Sequence, residues 1–172
     1  RRSTCRCWKG SSAPTIRRMR EGDIPRVTEL WHEMMDHHLA VDPRFELAIG
    51  NEEAYAEYLR STIENYDAAI FVAELNATLV GYTIVMILSN PAVFALERYG
   101  FISEMAVDGD YQRGGIGKTM WEHARRWLKR RGIRVLQLNV SPRNEKGYAF
   151  WKKVGCSEFL TIMWHDIPKS LR

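Results

Sequence analysis

The sequence predicts an α/β fold with a mixed sheet, in the order β-α-α-β-β-β-α-β-α-β. Two observations support this prediction. β-rich runs alternate with segments of helical periodicity, and a glycine-rich turn joins a strand at residues 101–107 to an amphipathic helix. The length of 172 residues and the hydrophobic content of 45% suit one globular domain. We therefore expect a single domain over residues 14–172, after a leader at 1–13 that is disordered or added by cloning.

The first third of the chain is predicted to contain one strand and two helices. Weak alternation predicts the strand at residues 15–20. Asp23 is the expected N-cap of the next helix, and Pro25 suits its first turn. Apolar residues recur at steps of three and four over 24–39, which predicts the first helix, and the same spacing predicts a second helix over 52–65.

After residue 65 the helical spacing of apolar residues gives way to β-rich runs, which predict strands of the sheet. The β-rich runs at 69–75 and 79–88 are separated by a turn and predict a hairpin, in which Gly81 indicates a bulge. The apolar link 92–99 suits either a short helix or a loop. The following run, 101–107, is predicted as the central strand.

The last part of the chain alternates helix and strand. A helix is expected from residue 116 to the glycine at 132, and a strand at 135–140. A short helix follows over 144–154, and one long strand is predicted at 158–167.

The amino-acid composition argues against nucleic acid and membrane as partners. The net charge of +4 and the pI near 9.1 are too mildly basic for a nucleic-acid-binding signature. No apolar run reaches the roughly 18 residues that span a bilayer, so no membrane partner is expected. Three cysteines without framework spacing favour a reducing compartment, and we expect a cytoplasmic protein.

The glycine-rich turn is difficult to explain by packing alone. A helix start leaves backbone N–H groups without partners, and its dipole favours negative charge. Glycines let a ligand approach that backbone, so this turn predicts a site for phosphate. A Walker A loop requires glycine where Gln112 stands, and Met120 breaks the dinucleotide fingerprint. The alternatives are a turn without a ligand and a nucleotide-phosphate enzyme that uses residues 114–119.

Two motifs resemble those of one family. Gln112, Gly115 and Gly117 form the pattern Gln-x-x-Gly-x-Gly, which resembles the acetyl-CoA-binding motif of the GNAT acyltransferase superfamily. After the next strand, the family's second motif is matched by Asn144, Gly147, Phe150, Trp151 and Gly155. The chain resembles the small bacterial and archaeal GNAT acetyltransferases. This resemblance implies an acyl-CoA N-acyltransferase fold and transfer of an acetyl group from acetyl-CoA to a primary amine.

The resemblance also implies a cofactor site of three parts. The backbone of Met105, Ala106 and Val107 would pair with the pantetheine arm as an added strand does. Asn144 would bind the pantetheine amide, and Trp151 would lie at the thiol end of the cofactor. The pyrophosphate would be held by Gln112, Arg113, Gly114, Gly115, Ile116, Gly117 and Lys118.

Trp151 departs from the family pattern. Many members carry a tyrosine there as the proposed general acid for the CoA thiolate, and an indole cannot supply an acidic proton. We expect a slower enzyme or another proton donor, either Tyr148 or a water molecule. The same departure motivates an alternative function, a catalytically impaired module that binds acyl-CoA as a sensor.

Glu104 is the predicted catalytic base. An alkyl ammonium with a pKa of about 10.4 has no free lone pair at neutral pH, so its proton must be removed before it attacks. Glu104 lies just before the cofactor-binding run, where many family members carry an acidic residue, although a purely structural strand carboxylate is the alternative. An amide of Met105 or Ala106 would polarise the acyl oxygen. We expect direct attack, since no cysteine is paired with a histidine.

The acceptor and the assembly are left open. Three histidines, His32, His37 and His38, lack a spacing that completes a metal site, so no metal is predicted. A polyamine, an aminoglycoside, an amino acid or a protein N-terminus would each suit the acceptor cleft. A homodimer is possible through the long last strand.

Overall fold

The computed structural model describes residues 13–167 of the chain. The predicted leader therefore lies, apart from Ala13, outside the described residues. The chain divides into two compact units, the first ending at Asn139 and the second beginning at Val140.

The first unit contains a mixed sheet of five strands in the order β1-β2-β3-β4-β5. β1 to β4 are antiparallel neighbours, and β5 runs parallel to β4. The strands are Thr15–Arg18, Ala68–Leu75, Thr78–Ser89, Arg98–Val107 and Leu136–Leu138. The predicted mixed α/β class is confirmed, although β5 is three residues long where six were expected at 135–140.

Residues 13–167 contain four α-helices. In the first unit these are α1 (Ile24–Val41), α2 (Asn51–Glu64) and α3 (Ile116–Arg130), and the second unit holds α4 (Glu145–Lys153). Over the part of the chain that the structure describes, none of the helices combines the length and apolar character of a membrane span.

The start of α1 differs from the prediction in one respect. Asp23 occupies the N-cap position and Pro25 lies in the first turn, but the Asp23 side chain makes no capping bond. Its carboxylate lies 2.7 Å from Nη1 of Arg17 and accepts from the backbone N of Arg20 at 2.8 Å. A charged guanidinium is a stronger partner than a helix amide, so the ion pair prevails over the cap.

The two faces of the sheet are covered by different helices. α1 and α2 lie on one face, where the apolar side chains of Leu30 and Leu59 pack with Ile84 of β3. α3 covers the other face, where Ile116 and Met120 pack with residues of β2 and β3. Burial on both faces explains why β2 and β3 read as nearly continuous apolar runs.

The loop and bulge predictions can be compared with the register. β2 and β3 pair Ala73 with Gly81 and Glu74 with Leu79, so an extra residue is accommodated beside Gly81 and the predicted bulge is confirmed. The ambiguous link 92–99 is a loop up to residue 97, and β4 begins at Arg98.

The predicted last strand at 158–167 is wrong. Within the described residues of the second unit, this segment has no strand pairing. Alternating hydrophobicity expresses a preference for a pleated, half-buried surface, and a strand forms only where a neighbouring backbone supplies hydrogen bonds. The segment's large apolar side chains are instead exposed: Phe159, Leu160, Ile162, Met163, Trp164 and Ile167.

Candidate active site

The turn between β4 and α3 presents backbone amides. The first helical bond runs from the N of Thr119 to the O of Gly115 at 3.0 Å, so the amides of Ile116, Gly117 and Lys118 precede the helical ladder. Residues 112–115 are exposed. Together with the positive end of the helix dipole, these exposed amides are suited to binding an anion.

Two residues of the turn have a left-handed backbone. Gly115, the N-cap of α3, has φ 85°, and Arg113 has φ 65°. Glycine adopts this conformation freely, whereas arginine does so rarely. Left-handed residues within such a turn are typical of anion-binding turns made by successive backbone amides.

Side chains outside the turn fix its position. Gln112 donates from Nε2 to the carbonyl of Val107 at 3.1 Å. Asp108, at the start of the turn, forms an ion pair with Arg26 of α1, and its backbone N donates to the carbonyl of Val80 at 2.9 Å. Arg26 also donates to the carbonyl of Leu79 at 3.2 Å. The turn is thus held to both α1 and β3.

Residues 103–107 of β4 have a strand on one side only, within the described residues of the first unit. β5 pairs with β4 only from Gly100 to Ile102. The following residues of β4 pair with β3 alone, with Met105 opposite Thr83 and Ala106 opposite Tyr82. The free edge at 103–107 can therefore accept an extended ligand as a further strand.

A bulge in β4 reverses the direction of its side chains. Ile84 lies opposite Glu104 and Val85 opposite Ile102, so Ser103 is the extra residue. Gly100 faces α3, since a Cβ there would lie 2.5 Å from Cδ1 of Leu128. Strict alternation would place Glu104 on that face as well. Because of the bulge it faces α1 and α2 instead.

Glu104 lies in a pocket of phenols. Its Oε2 accepts from the hydroxyls of Tyr55 at 2.6 Å and Tyr82 at 2.7 Å. Burial raises the pKa of Glu104, and the two hydrogen bonds act in the opposite direction. A carboxylate whose pKa is brought closer to neutrality is suited to general base catalysis.

The two tyrosines are held rigidly. Tyr82 is fully buried, and Tyr55 stacks on Trp31 of α1 with ring centroids 4.1 Å apart and planes 10° apart. Burial, followed by the charge of Glu104, raises the pKa of both phenols. Both hydroxyls therefore stay protonated and keep donating.

Helices α1 and α2 flank an open groove of about 370 Å³ whose accessible lining is mostly apolar. Its lining includes the carboxylates of Glu29, Glu52 and Glu53. His32 also lines it, with Nε2 3.3 Å from Oε1 of Glu52. The other histidines of α1 lie further along the helix, where the ring of His38 packs against Phe45 at 5.0 Å.

The second unit holds the remaining predicted cofactor residues. The N-cap of α4 is Asn144, whose Oδ1 accepts from the N of Gly147 at 3.0 Å. Trp151 lies on α4 with its ring edge against Phe150. Tyr148 donates to Glu158, and this bond raises the pKa of the phenol, so Tyr148 is a weaker proton donor than an ordinary tyrosine.

The structure brings together residues that the sequence suggested separately. Glu104, the unpaired edge at 105–107 and the amides at 112–118 follow one another along β4 and into α3. Sequence reasoning missed Tyr55, Tyr82, the bulge at Ser103 and Arg26. Of these four features, only Tyr82 could have been found from the sequence. It lies in the β-branched and aromatic run that predicts β3, a strand beside β4.

Sequence and structure similarities relate the chain to known proteins. The acetyltransferase (GNAT) family matches over residues 28–156, which is more than half of the chain. The [ribosomal protein bS18]-alanine N-acetyltransferase of Escherichia coli K12 is 39% identical over 54 residues. That match covers 31% of this chain and 36% of the relative, so the chain matches about a third of the relative's length.

Solved structures show the same fold at low sequence identity. A tetramutant of the BH1408 protein from Bacillus halodurans has a TM-score of 0.80 and 17% identity over 89% of this chain and 99% of that one. The aminoglycoside N-acetyltransferase AAC(6')-Iy in complex with CoA has a TM-score of 0.72 and 16% identity over 93% and 98%. With the family match over most of its length, the chain described here belongs to the acetyltransferase (GNAT) family.

Proposed function

We propose that the chain is an acetyl-CoA-dependent N-acetyltransferase that transfers an acetyl group to a primary amine by direct attack. The observation that carries this proposal is the position of Glu104. A bulge turns this carboxylate toward α1 and α2, and Glu104 lies on the unpaired strand edge at 103–107 that leads into the amide-rich turn. A base, a strand edge and an anion site in this order suit an amine acceptor beside an extended thioester cofactor.

The cofactor would bind along main-chain groups. The edge of Met105, Ala106 and Val107 offers donors and acceptors to the amides of pantetheine. The amides at 112–118 and the side chain of Lys118 offer an anion site for the diphosphate. Asn144 and Trp151 are proposed to contact the pantetheine amide and the thiol end, as the family motif implies. The family match supports this assignment, as does the complex of the structural neighbour AAC(6')-Iy with CoA.

The reaction balances with Glu104 as the base. The ammonium form of the acceptor gives one proton to the Glu104 carboxylate, and the nitrogen lone pair then attacks the thioester carbonyl. The C–S bond breaks as the tetrahedral intermediate collapses, and an amide of Met105 or Ala106 stabilises the oxyanion before collapse. The second nitrogen proton neutralises the CoA thiolate, and Glu104 returns its proton to solvent.

The presence of Trp151 in place of the family's tyrosine affects only the protonation of the CoA thiolate. A thiol with a pKa of about 8.5 leaves tolerably as the thiolate, so the reaction does not require an enzymic acid. The raised pKa of Tyr148 makes it a poor substitute, so the second nitrogen proton reaches the thiolate directly or through a water molecule.

The charge distribution supports a cationic acceptor. Residues 21–64, which include α1 and α2, carry eleven Asp or Glu and three Lys or Arg. Residues 111–134, which include the turn and α3, carry eight Lys or Arg and one Glu. Such fields attract an anionic cofactor to one region and a polyamine, an aminoglycoside or a basic peptide to the other.

Thiol release from acetyl-CoA tests the proposal against a panel of amines. The panel holds a polyamine, an aminoglycoside, an amino acid amide and a peptide with a free N-terminus. We expect acceptor-dependent release of CoA, fastest with the multiply charged amines and with a KM that rises as salt screens the carboxylates of residues 21–64.

One result would favour the alternative function. If acetyl-CoA binds and no amine accelerates thiol release, the chain is an acyl-CoA-binding sensor, as the indole at 151 would allow. If release is fastest with a neutral or anionic amine, the acceptor class proposed here is wrong although the reaction stands.

A further inference from the structure

Beyond Glu104 itself, we propose that Tyr55 and Tyr82 are positioning residues for this base. Their hydroxyls hold Oε2 of the carboxylate, which orients the group and leaves Oε1 to take the proton of the acceptor ammonium. This inference rests on the proposed role of Glu104 in acetyl transfer. Neither tyrosine belongs to the motifs by which the sequence resembles its family.

The distances define a convergent arrangement at one atom. Tyr55 and Tyr82 donate to the same oxygen, at 2.6 and 2.7 Å. Their own oxygens lie 3.1 Å apart. Each phenol has a single proton, so with both donating to Oε2 the contact between the two hydroxyls carries no hydrogen. The hydrogen bonds found for this carboxylate among residues 13–167 therefore occupy one of its two oxygens.

The three side chains come from three different elements. Tyr55 extends from α2, Tyr82 from the central strand β3 and Glu104 from β4. Tyr82 is enclosed by the core, and the stacking of Tyr55 on Trp31 fixes its ring. A carboxylate held by two rigid donors has little freedom to rotate, so its second oxygen is preorganised for the substrate.

The groups that face Glu104 are phenols. They are Tyr55 and Tyr58 from α2 and Tyr82 from β3. Burial raises the pKa of Glu104, and the bonds from Tyr55 and Tyr82 lower it. These two hydroxyls thus favour the ionised carboxylate against the effect of burial, and unlike a neighbouring cation they would not repel an ammonium substrate.

Tyr55→Phe and Tyr82→Phe remove one hydroxyl each and keep the ring. The base works only when ionised, so it is active above its pKa. Loss of a donor raises that pKa and moves the acidic limb of the kcat/KM profile to higher pH. We expect the limb to shift by about one pH unit in each variant, because the free energy of one hydrogen bond to a charged group corresponds to a pKa change of about that size.

Tyr58→Phe is the matched control. Tyr58 lies on the same helix, its ring packs against Tyr55 at 5.9 Å, and its hydroxyl interacts with Ser103. We expect its acidic limb to stay within about 0.3 pH units of wild type, since it gives no hydrogen bond to Glu104. A limb that belongs to the substrate would not move in any of the three variants.

A purely structural role gives a different result. If Tyr55→Phe and Tyr82→Phe lower kcat or thermal stability while the limb stays in place, the two tyrosines only fill space and the proposal is overturned. The same conclusion follows if Tyr58→Phe moves the limb as far as they do.

A second readout separates this proposal from the proposed function. The Glu104 carboxyl can be titrated by ¹³C NMR in the full chain without substrate, assigned with Glu104→Gln. The proposal requires a higher titration midpoint in both phenylalanine variants, even if no amine is ever acetylated. An unchanged midpoint overturns it, whereas a raised midpoint in a chain without transferase activity would remove the proposed function alone.

Discussion

The two halves of the candidate site, one within β4 and one in the turn that follows it, are built in opposite ways. The amide-rich turn is made of main chain from one continuous segment, residues 112–118, and it is largely exposed. The base pocket around Glu104 is made of side chains from three elements, and it is buried beneath α1 and α2. The turn lies in a basic region and the base pocket beside an acidic one.

This difference separates the two tasks of an acyltransferase. Main-chain amides are groups that every residue carries, so one exposed segment can form an anion site for a diphosphate. A base must hold a particular pKa and orientation, which requires burial and fixed partners. Substitutions in the turn should therefore change cofactor affinity, and substitutions in the pocket should change turnover.

The largest effect is expected from Gly115→Glu. This position has φ 85°, so any side chain there is strained, and a carboxylate would also meet the diphosphate. We expect acetyl-CoA affinity to fall by more than about 100-fold, as loss of a charge-assisted anion site implies. Isothermal titration calorimetry of acetyl-CoA into both proteins measures the change in affinity.

Two controls accompany this variant. Gly109→Glu adds the same charge in the preceding turn, where φ is not positive and the space is open. Gly115→Ala adds the backbone strain without the charge. Equal losses in all three variants would mean that the effect is not specific to the N-terminus of α3.

Glu104→Gln should reduce turnover and leave cofactor affinity unchanged. General base catalysis contributes about 10²–10⁴-fold, so we expect kcat at neutral pH to fall within that range. Partial recovery is expected toward the pKa of the amine, where the acceptor loses its proton to solvent. Activity equal to wild type at every pH would remove Glu104 from the base role.

Gly100→Ala tests the reversal of β4 at the bulge. Because a Cβ at this position would lie 2.5 Å from Leu128, we expect a loss of about 1–3 kcal/mol in the free energy of unfolding. Gly22→Ala is the control, since its surroundings are open. Urea denaturation of both variants gives the comparison, and a neutral Gly100→Ala would show that this half of the strand does not face α3.

The smallest effect is expected from Gln112→Ala. Its side chain makes one hydrogen bond, to the carbonyl of Val107, and lies exposed. Loss of a bond worth about 1 kcal/mol should weaken acetyl-CoA binding roughly five-fold through a less rigid turn. A loss as large as that of Gly115→Glu would mean that Gln112 contacts the cofactor directly.

The same contrast explains what the sequence could predict. The turn is local: its glycines, its strand and its helix lie within one segment, so their order alone indicated an anion site. The element order of the first unit was also predicted, because α1, α2 and α3 each carry a clear apolar stripe.

The base pocket depends on long-range geometry. Tyr55 and Tyr82 lie 49 and 22 residues from Glu104 along the chain, and no spacing rule connects them. Ser103 gives no signal of a bulge, since it is an ordinary strand residue in sequence. The wrong prediction at 158–167 has the same origin, because pairing depends on a partner that periodicity does not reveal.

The central claim is that the amides at 112–118 bind the diphosphate of acetyl-CoA, and NMR of protein labelled with ¹⁵N-glycine tests it most directly. We predict that acetyl-CoA shifts the amide resonances of Gly114, Gly115 and Gly117 and leaves Gly22 and Gly50 unchanged. Acetyl-pantetheine, which lacks the diphosphate, should shift the three turn resonances far less. Saturating acetyl-CoA that leaves all three in place would contradict the account.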